Sequence, residues 1–220
     1  MKWLREHALG LTMFILFLLF LAGQSVAGYA NYNEEQQQHN QSGITYSEYI
    51  KSGDFIEGVF ENWESEFLQM GSFVILTVFL RHKGSSESKK LIGKESVDQE
   101  PKQTTDKNAP WPVRKGGWIL SIYKNSLSLA LIMLFIFSIF LHAYGGSRAT
   151  CEENLIHGQQ ECYSTIGYMG TSKFWYESFQ NWQSEYLALA AMIVFSVYLR
   201  QQGSPESKPV SAPYAKTGSG

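Results

Sequence analysis

Residues 60–89 read FENWESEFLQMGSFVILTVFLRHKGSSESK, and residues 179–208 read FQNWQSEYLALAAMIVFSVYLRQQGSPESK. Laid over each other without a gap, the two stretches share Phe, Asn, Trp, Ser, Glu and Leu ahead of an apolar run. Behind that run they share Leu, Arg, Gly, Ser, Glu, Ser and Lys. A self-match of this length marks a duplicated structural unit. Each copy sets a hydrophobic segment between polar signatures, so the repeated unit is a membrane-associated helix with its flanks.

Upstream of each copy lies a second apolar block. Residues 8–27 form a nearly unbroken apolar run behind Lys2, Arg5 and His7. Residues 118–144 are its counterpart, with Leu9 and Leu11 against Leu127 and Leu129 at an offset one residue shorter than that of the main repeat. Each block approaches the roughly 20 residues a helix needs to cross a bilayer core. The apolar cores inside the repeated stretches, 67–80 and 186–199, are shorter. Their helices are expected to begin well upstream, because Ile56, Phe60, Trp63, Phe67, Met70 and Val74 recur at helical spacing. Trp63 and Trp182 are expected to anchor one membrane interface, with Arg81 and Arg200 as anchors at the other end. The fold expected from this pattern is all-α: an integral membrane protein whose four transmembrane helices form two tandem, pseudo-symmetric hairpins.

The first hairpin takes residues 1–83, with spans near 8–28 and 60–82, and the second takes residues 118–202, with spans near 119–144 and 180–201. Residues 84–117, rich in Lys, Glu, Ser, Gln, Asp and Pro, read as a disordered cytoplasmic linker, and residues 203–220 as a disordered tail. Ser52 or Asp54, and Thr171 or Ser172, are the expected N-caps of the return helices, with Gly84 and Gly203 stopping them. A cleaved signal peptide ending near Ser25-Val26-Ala27 is the competing reading of the first block. The internal counterpart of that block must stay in the membrane, which favours retention.

The 220 residues carry 18 Lys and Arg against 20 Asp and Glu, a net charge of −2, so nothing points to nucleic acid. The distribution of basic residues says more. Residues 81–115 hold Arg81, Lys83, Lys89, Lys90, Lys94, Lys102, Lys107, Arg114 and Lys115, whereas residues 28–66 hold only Lys51 and residues 145–185 only Arg148 and Lys173. The positive-inside rule then puts both termini and the central segment in the cytoplasm and both shorter loops outside. Cys151 and Cys162 share the second outer loop and are expected to form a disulfide in an oxidising compartment.

Two polar constellations repeat. Asn62 with Glu66 recurs as Asn181 with Glu185, a spacing of four that sets each pair on one helix face. Converging faces would hold a cation or share a proton. The plainer alternative is an acidic residue favoured by the helix dipole beside interfacial Trp and Asn, and it is preferred. Glu34-Glu35 with His39 recurs as Glu152-Glu153 with His157, and carboxylate with imidazole four apart on a helix, as in Glu35 with His39 and Glu153 with His157, suits zinc, iron or copper. One pair leaves coordination incomplete unless the two copies meet, so a solvated helix face is the preferred reading there too. His142 stands alone and is expected to be packed or interfacial. The repeated Gly-Ser-x-Glu-Ser-Lys lacks the strand-to-helix setting of a phosphate loop. With no Ser/His/Asp, HExxH, paired-Cys metal or dinucleotide motif, no catalytic residue or cofactor is assigned and a non-enzymatic role is expected.

The stretch NWESEFLQMGSFVILTVFLRHKGSSESKKL at residues 62–91, with the basic first span and NEEQQQH at residues 33–39, resembles an uncharacterised bacterial family known only as a domain of unknown function. The resemblance covers most of the chain and implies a small multi-pass protein of the bacterial inner membrane. It carries no activity, substrate or site residue. The leading functional expectation is a non-enzymatic membrane component that assembles or regulates a complex, its partners being the lipid bilayer and a second copy or another membrane protein. The alternatives are a cation channel or transporter using Glu66 and Glu185, and an extracytoplasmic metal or stress sensor built on Glu35, His39, Glu153 and His157.

Overall fold

Apolar side chains cover every side of the longest helices, and that property organises the fold. A computed structural model describes residues 2–102 and 104–218. Its elements are α1 (Lys2–Glu6), α2 (Ala8–Gln38), α3 (Tyr46–Tyr49), α4 (Gly53–Phe79), α5 (Trp111–Lys115), α6 (Gly117–Tyr123), α7 (Ser126–Ile156), α8 (Thr165–Tyr168) and α9 (Ser172–Tyr198), with a 3-10 turn at Ser96–Asp98. The described residues contain no strand. The duplication is visible in the helix lengths: α2 and α7 have 31 residues each, α3 and α8 have 4, and α4 and α9 have 27.

Helices α2 and α7 are long and apolar enough to cross a membrane, with mean hydropathy of 2.1 and 2.3 over their most apolar windows. Large apolar side chains stand open on α2, Leu9 at 74% and Phe20 at 72% exposure, as a lipid-facing surface requires. At 1.5 Å per residue each is about 46 Å long, beyond a hydrocarbon core of about 30 Å. Both are compatible with membrane insertion. Helices α4 and α9 carry acidic residues through their first halves and fall short of that test by composition.

The helix caps distinguish between the alternatives the sequence leaves open. Ser52 Oγ accepts from the Phe55 N–H at 3.2 Å, and Thr171 Oγ1 accepts from the Phe174 N–H at 3.3 Å, so these two are the N-caps. The same helices end at Phe79 and Tyr198, earlier than Gly84 and Gly203 would suggest. The cause is a pair of arginines. Arg81 Nη1 donates to the carbonyls of Thr77, Val78 and Leu80, and Arg200 Nη1 to those of Ser196, Val197 and Leu199. Each guanidinium folds back to satisfy the carbonyls that a helix end leaves over, and its charge suits the negative end of the dipole.

Two compact units are present: Met1–Phe60 with Phe140–Phe174, and Glu61–Ile139 with Trp175–Gly220. In the second unit, residues expected to be disordered are tied down. The repeated Gly-Ser-x-Glu-Ser-Lys closes the same turn twice. Ser88 Oγ accepts from His82 N and Ser207 Oγ from Gln201 N, both at 2.9 Å, and Glu87 N and Glu206 N donate to Ser85 Oγ and Ser204 Oγ. Lys89 then pairs with Asp98 of the central segment. Lys208 is 1% exposed and donates to the carbonyls of Gly84, Tyr214 and Lys216. Thr217 Oγ1 accepts from Gly84 N at 2.9 Å. Buried polar groups demand partners, and these carbonyls hold the tail in place as far as residue 218; its last two residues lie outside the described range.

Candidate functional site

The first unit holds a polar cavity of about 470 Å³. Helix α2 and the residue after it supply Tyr32, Glu35 and His39 at spacings of three and four, which place them on one face. Helix α7 and the residue after it supply Glu152, Glu153 and His157 in the same register. Asp54 and Glu57 come from the first turns of α4, and Lys173 from the first turn of α9. Five carboxylates thus face one ammonium and two imidazoles.

The two Glu/His pairs of the repeat meet here. The His39 and His157 rings lie edge to face with centroids 5.3 Å apart. Three tyrosines fix the surrounding carboxylates: Tyr32 donates to Glu152 at 3.2 Å, Tyr49 to Asp54 at 3.2 Å and Tyr168 to Glu57 at 2.9 Å. Asn31 donates to Glu35 at 3.1 Å, and Lys173 Nζ reaches Glu153 at 3.4 Å and Thr150 Oγ1 at 3.2 Å.

Burial, reinforced by the neighbouring acids, shifts the protonation of the wall. Burial, followed by the Glu152 charge, pushes the Tyr32 phenol up to about 12, so it remains a donor. The Tyr49 phenol is raised by burial and then by Asp54. Asp54 keeps an opening to water, yet the protein packed around it raises its carboxyl above the usual range, with the Glu35 and Glu152 charges adding to the rise. The Tyr49 hydrogen bond and the Lys173 charge oppose that rise.

Two duplicated devices hold the cavity walls in position. Tyr49 and Tyr168, 119 residues apart, each sit over a glycine of a long helix. A Cβ on Gly28 would strike the Tyr49 hydroxyl, and one on Gly146 would strike the Tyr168 ring and, at 2.6 Å, Glu57 Oε1. The turns that follow α2 and α7 are stitched at equivalent positions by different chemistry. Cys151 and Cys162 lie at disulfide distance, with Cα atoms 4.6 Å apart and a sequence separation of 11. In the first copy, Asn33 and Ile44 occupy the same places, also 11 apart: Asn33 Oδ1 accepts from Ile44 N at 2.7 Å and Nδ2 donates to its carbonyl at 3.3 Å.

The second polar constellation forms a different arrangement, within the second unit. Asn181 donates to Glu61 at 3.0 Å, and Trp182 Nε1 donates to Glu64 at 3.1 Å, the latter carboxylate being 0% exposed. The partners of the retained Asn and Trp are therefore the two glutamates that become Gln180 and Gln183 in the other copy. Glu66 lies close enough to Glu185 to feel its charge, while Asn62 is exposed and its carbonyl accepts from Ser65 Oγ. Trp63 is half-buried, as is Trp182. His142 is fully buried in the first unit and stacks on Phe174, ring centroids 4.8 Å apart.

The sequence singles out Glu35, His39, Glu152, Glu153 and His157 and gives no sign that Tyr32, Asp54, Glu57 and Lys173 join them. Extending the repeat alignment upstream of Phe60 gives Tyr49 with Tyr168 and Asp54 with Lys173. A family model described as a domain of unknown function (DUF6766) matches residues 1–219. No curated protein and no solved structure matches the chain.

Proposed function

The chain belongs to the DUF6766 family, and we propose that it is a multi-pass membrane protein that binds a divalent transition-metal cation in its polar cavity, as a sensor and not as an enzyme. In this reading α4 and α9 join α2 and α7 as spans of a bacterial inner membrane. The basic bias of residues 81–115 keeps both termini in the cytoplasm. The cavity then opens on the outer side.

The observation that carries the proposal is the convergence of Glu35, His39, Glu153 and His157, from both halves, on one cavity. Each half alone offers an incomplete ligand set; together they offer two imidazoles and several carboxylates. Imidazole with carboxylate suits zinc, copper or iron, whereas calcium and magnesium take oxygen ligands. The surplus of carboxylates over Lys173 supplies the field a cation requires. Equilibrium dialysis of zinc against the purified full chain tests it. Binding by the wild type is expected to weaken at least roughly tenfold in His39→Ala plus His157→Ala, since two first-contact ligands are lost. Equal zinc uptake by both proteins would refute the reading.

A second reading, an assembly component, draws on the second unit. Trp175, Phe179 and Trp182 form an aromatic ladder with centroids 5.5 to 6.2 Å apart. Phe179 is 56% exposed, a surface suited to a second copy or another membrane protein. Native mass measurement of the full chain in detergent reports on it: a single-chain mass throughout would count against self-association.

A further inference from the structure

We propose that Lys173 is a tethered cation that competes with the bound metal for Glu153 and so sets the affinity of the cavity, an inference that rests on the metal reading above. Its ammonium already sits among the cavity carboxylates, 3.4 Å from Glu153 Oε2 and 3.2 Å from Thr150 Oγ1. Glu153 belongs to one of the two Glu/His pairs, so the ammonium engages a group the metal would use.

The duplication shows that this placement is particular to one half. Ser52 and Thr171 cap α4 and α9 at equivalent positions, and two residues on, Asp54 in one half faces Lys173 in the other. An acidic residue in the first turn is what a helix favours, and a lysine there opposes the dipole. Helix stability therefore does not account for Lys173. The cavity does, because it gathers carboxylates that repel one another when no ion is present.

The contact is also easily released. The Lys173 and Glu153 side chains are 42% and 60% exposed, so water replaces each as the other leaves, and such pairs are weakly held. The ammonium offsets part of the negative charge of the empty cavity and swings clear when a divalent ion arrives.

Zinc dialysis of the full chain, with Lys173→Met, Lys173→Gln and Lys173→Arg beside the wild type, tests the inference. The Met and Gln variants are expected to bind zinc about tenfold more tightly, the scale of one like-charge interaction in a partly open site. Lys173→Arg keeps the charge and is expected to track the wild type. Wild-type binding with unchanged or weaker affinity in both neutral variants overturns the role of Lys173 and leaves the metal site standing. No binding by wild type or any variant, with helical content intact by circular dichroism, overturns the metal site itself. Binding that emerges only in the neutral variants supports both.

Discussion

A Cβ is a small addition, yet at Gly28 and Gly146 it would collide with Tyr49 and Tyr168. Gly28→Ala and Gly146→Ala are each expected to cost about 1–3 kcal/mol, the range for overpacking a filled site. Gly146→Ala should be the worse of the two, because its methyl also meets Glu57 Oε1. Thermal unfolding in detergent measures both. Asp54 gives a pH signature. Its folded carboxyl is raised above the ordinary range, so the native state holds the proton more firmly than the unfolded chain does. The contribution of this group to stability is greatest in acid and declines as pH climbs from the ordinary carboxylate range through the raised value. Asp54→Asn, which still accepts from Tyr49, is expected to raise the melting temperature of the metal-free protein at neutral pH and to change nothing well below that window. A melting temperature that falls equally at both pH values would contradict the assignment.

At the scale of elements, the turns that follow α2 and α7 invite comparison by substitution. Replacing Cys151 and Cys162 with Ser removes a cross-link closing a loop of 11 residues and is expected to cost about 2–3 kcal/mol. Asn33→Ala removes two hydrogen bonds to Ile44 and is expected to cost about 1–3 kcal/mol. A reductant should lower the melting temperature of the wild type and of Asn33→Ala, but not that of the Cys-free protein. The starts of α4 and α9 were legible in the sequence because hydrophobic periodicity and hydroxyl caps are local signals, whereas the break at residues 124–125 between α6 and α7 was not. The ends of α4 and α9 were not, since Arg81 and Arg200 take over the capping that glycine was expected to perform. The four-residue helices α3 and α8 were too short for periodicity to show, although Thr45 and Ser164 mark their starts at equivalent positions. The Glu/His pairs were legible as helical spacings. Their meeting was not, because spacing within one helix is silent about which other helix faces it.

For the whole molecule, the proposed topology is open to direct labelling. Single cysteines introduced at Ser47 and Tyr163 in the Cys-free protein should react with a membrane-impermeant thiol reagent added outside intact cells. One at Lys94 should react only after permeabilisation. Labelling of position 94 in intact cells would reverse the assignment of sides. The tail illustrates the limit of composition as a guide at this scale. Residues 203–218 have a disordered composition, yet Lys208 and Thr217 bind them to the Gly84 turn. Lys208→Ala should therefore expose residues 209–216 to proteolysis, and an unchanged digestion pattern would argue that the tail is held by other means.

The paired stitches at Asn33 and Cys151 differ in what they need before they close. An amide finds its backbone partner wherever the chain emerges, whereas two thiols must first give up a pair of electrons to an oxidant. The earlier half can thus complete its turn as soon as it is made. Under the proposed topology, the later half waits for export to deliver Cys151 and Cys162 to an oxidising environment, and maturation of the cavity would then proceed in sequence order and finish on the far side of the membrane.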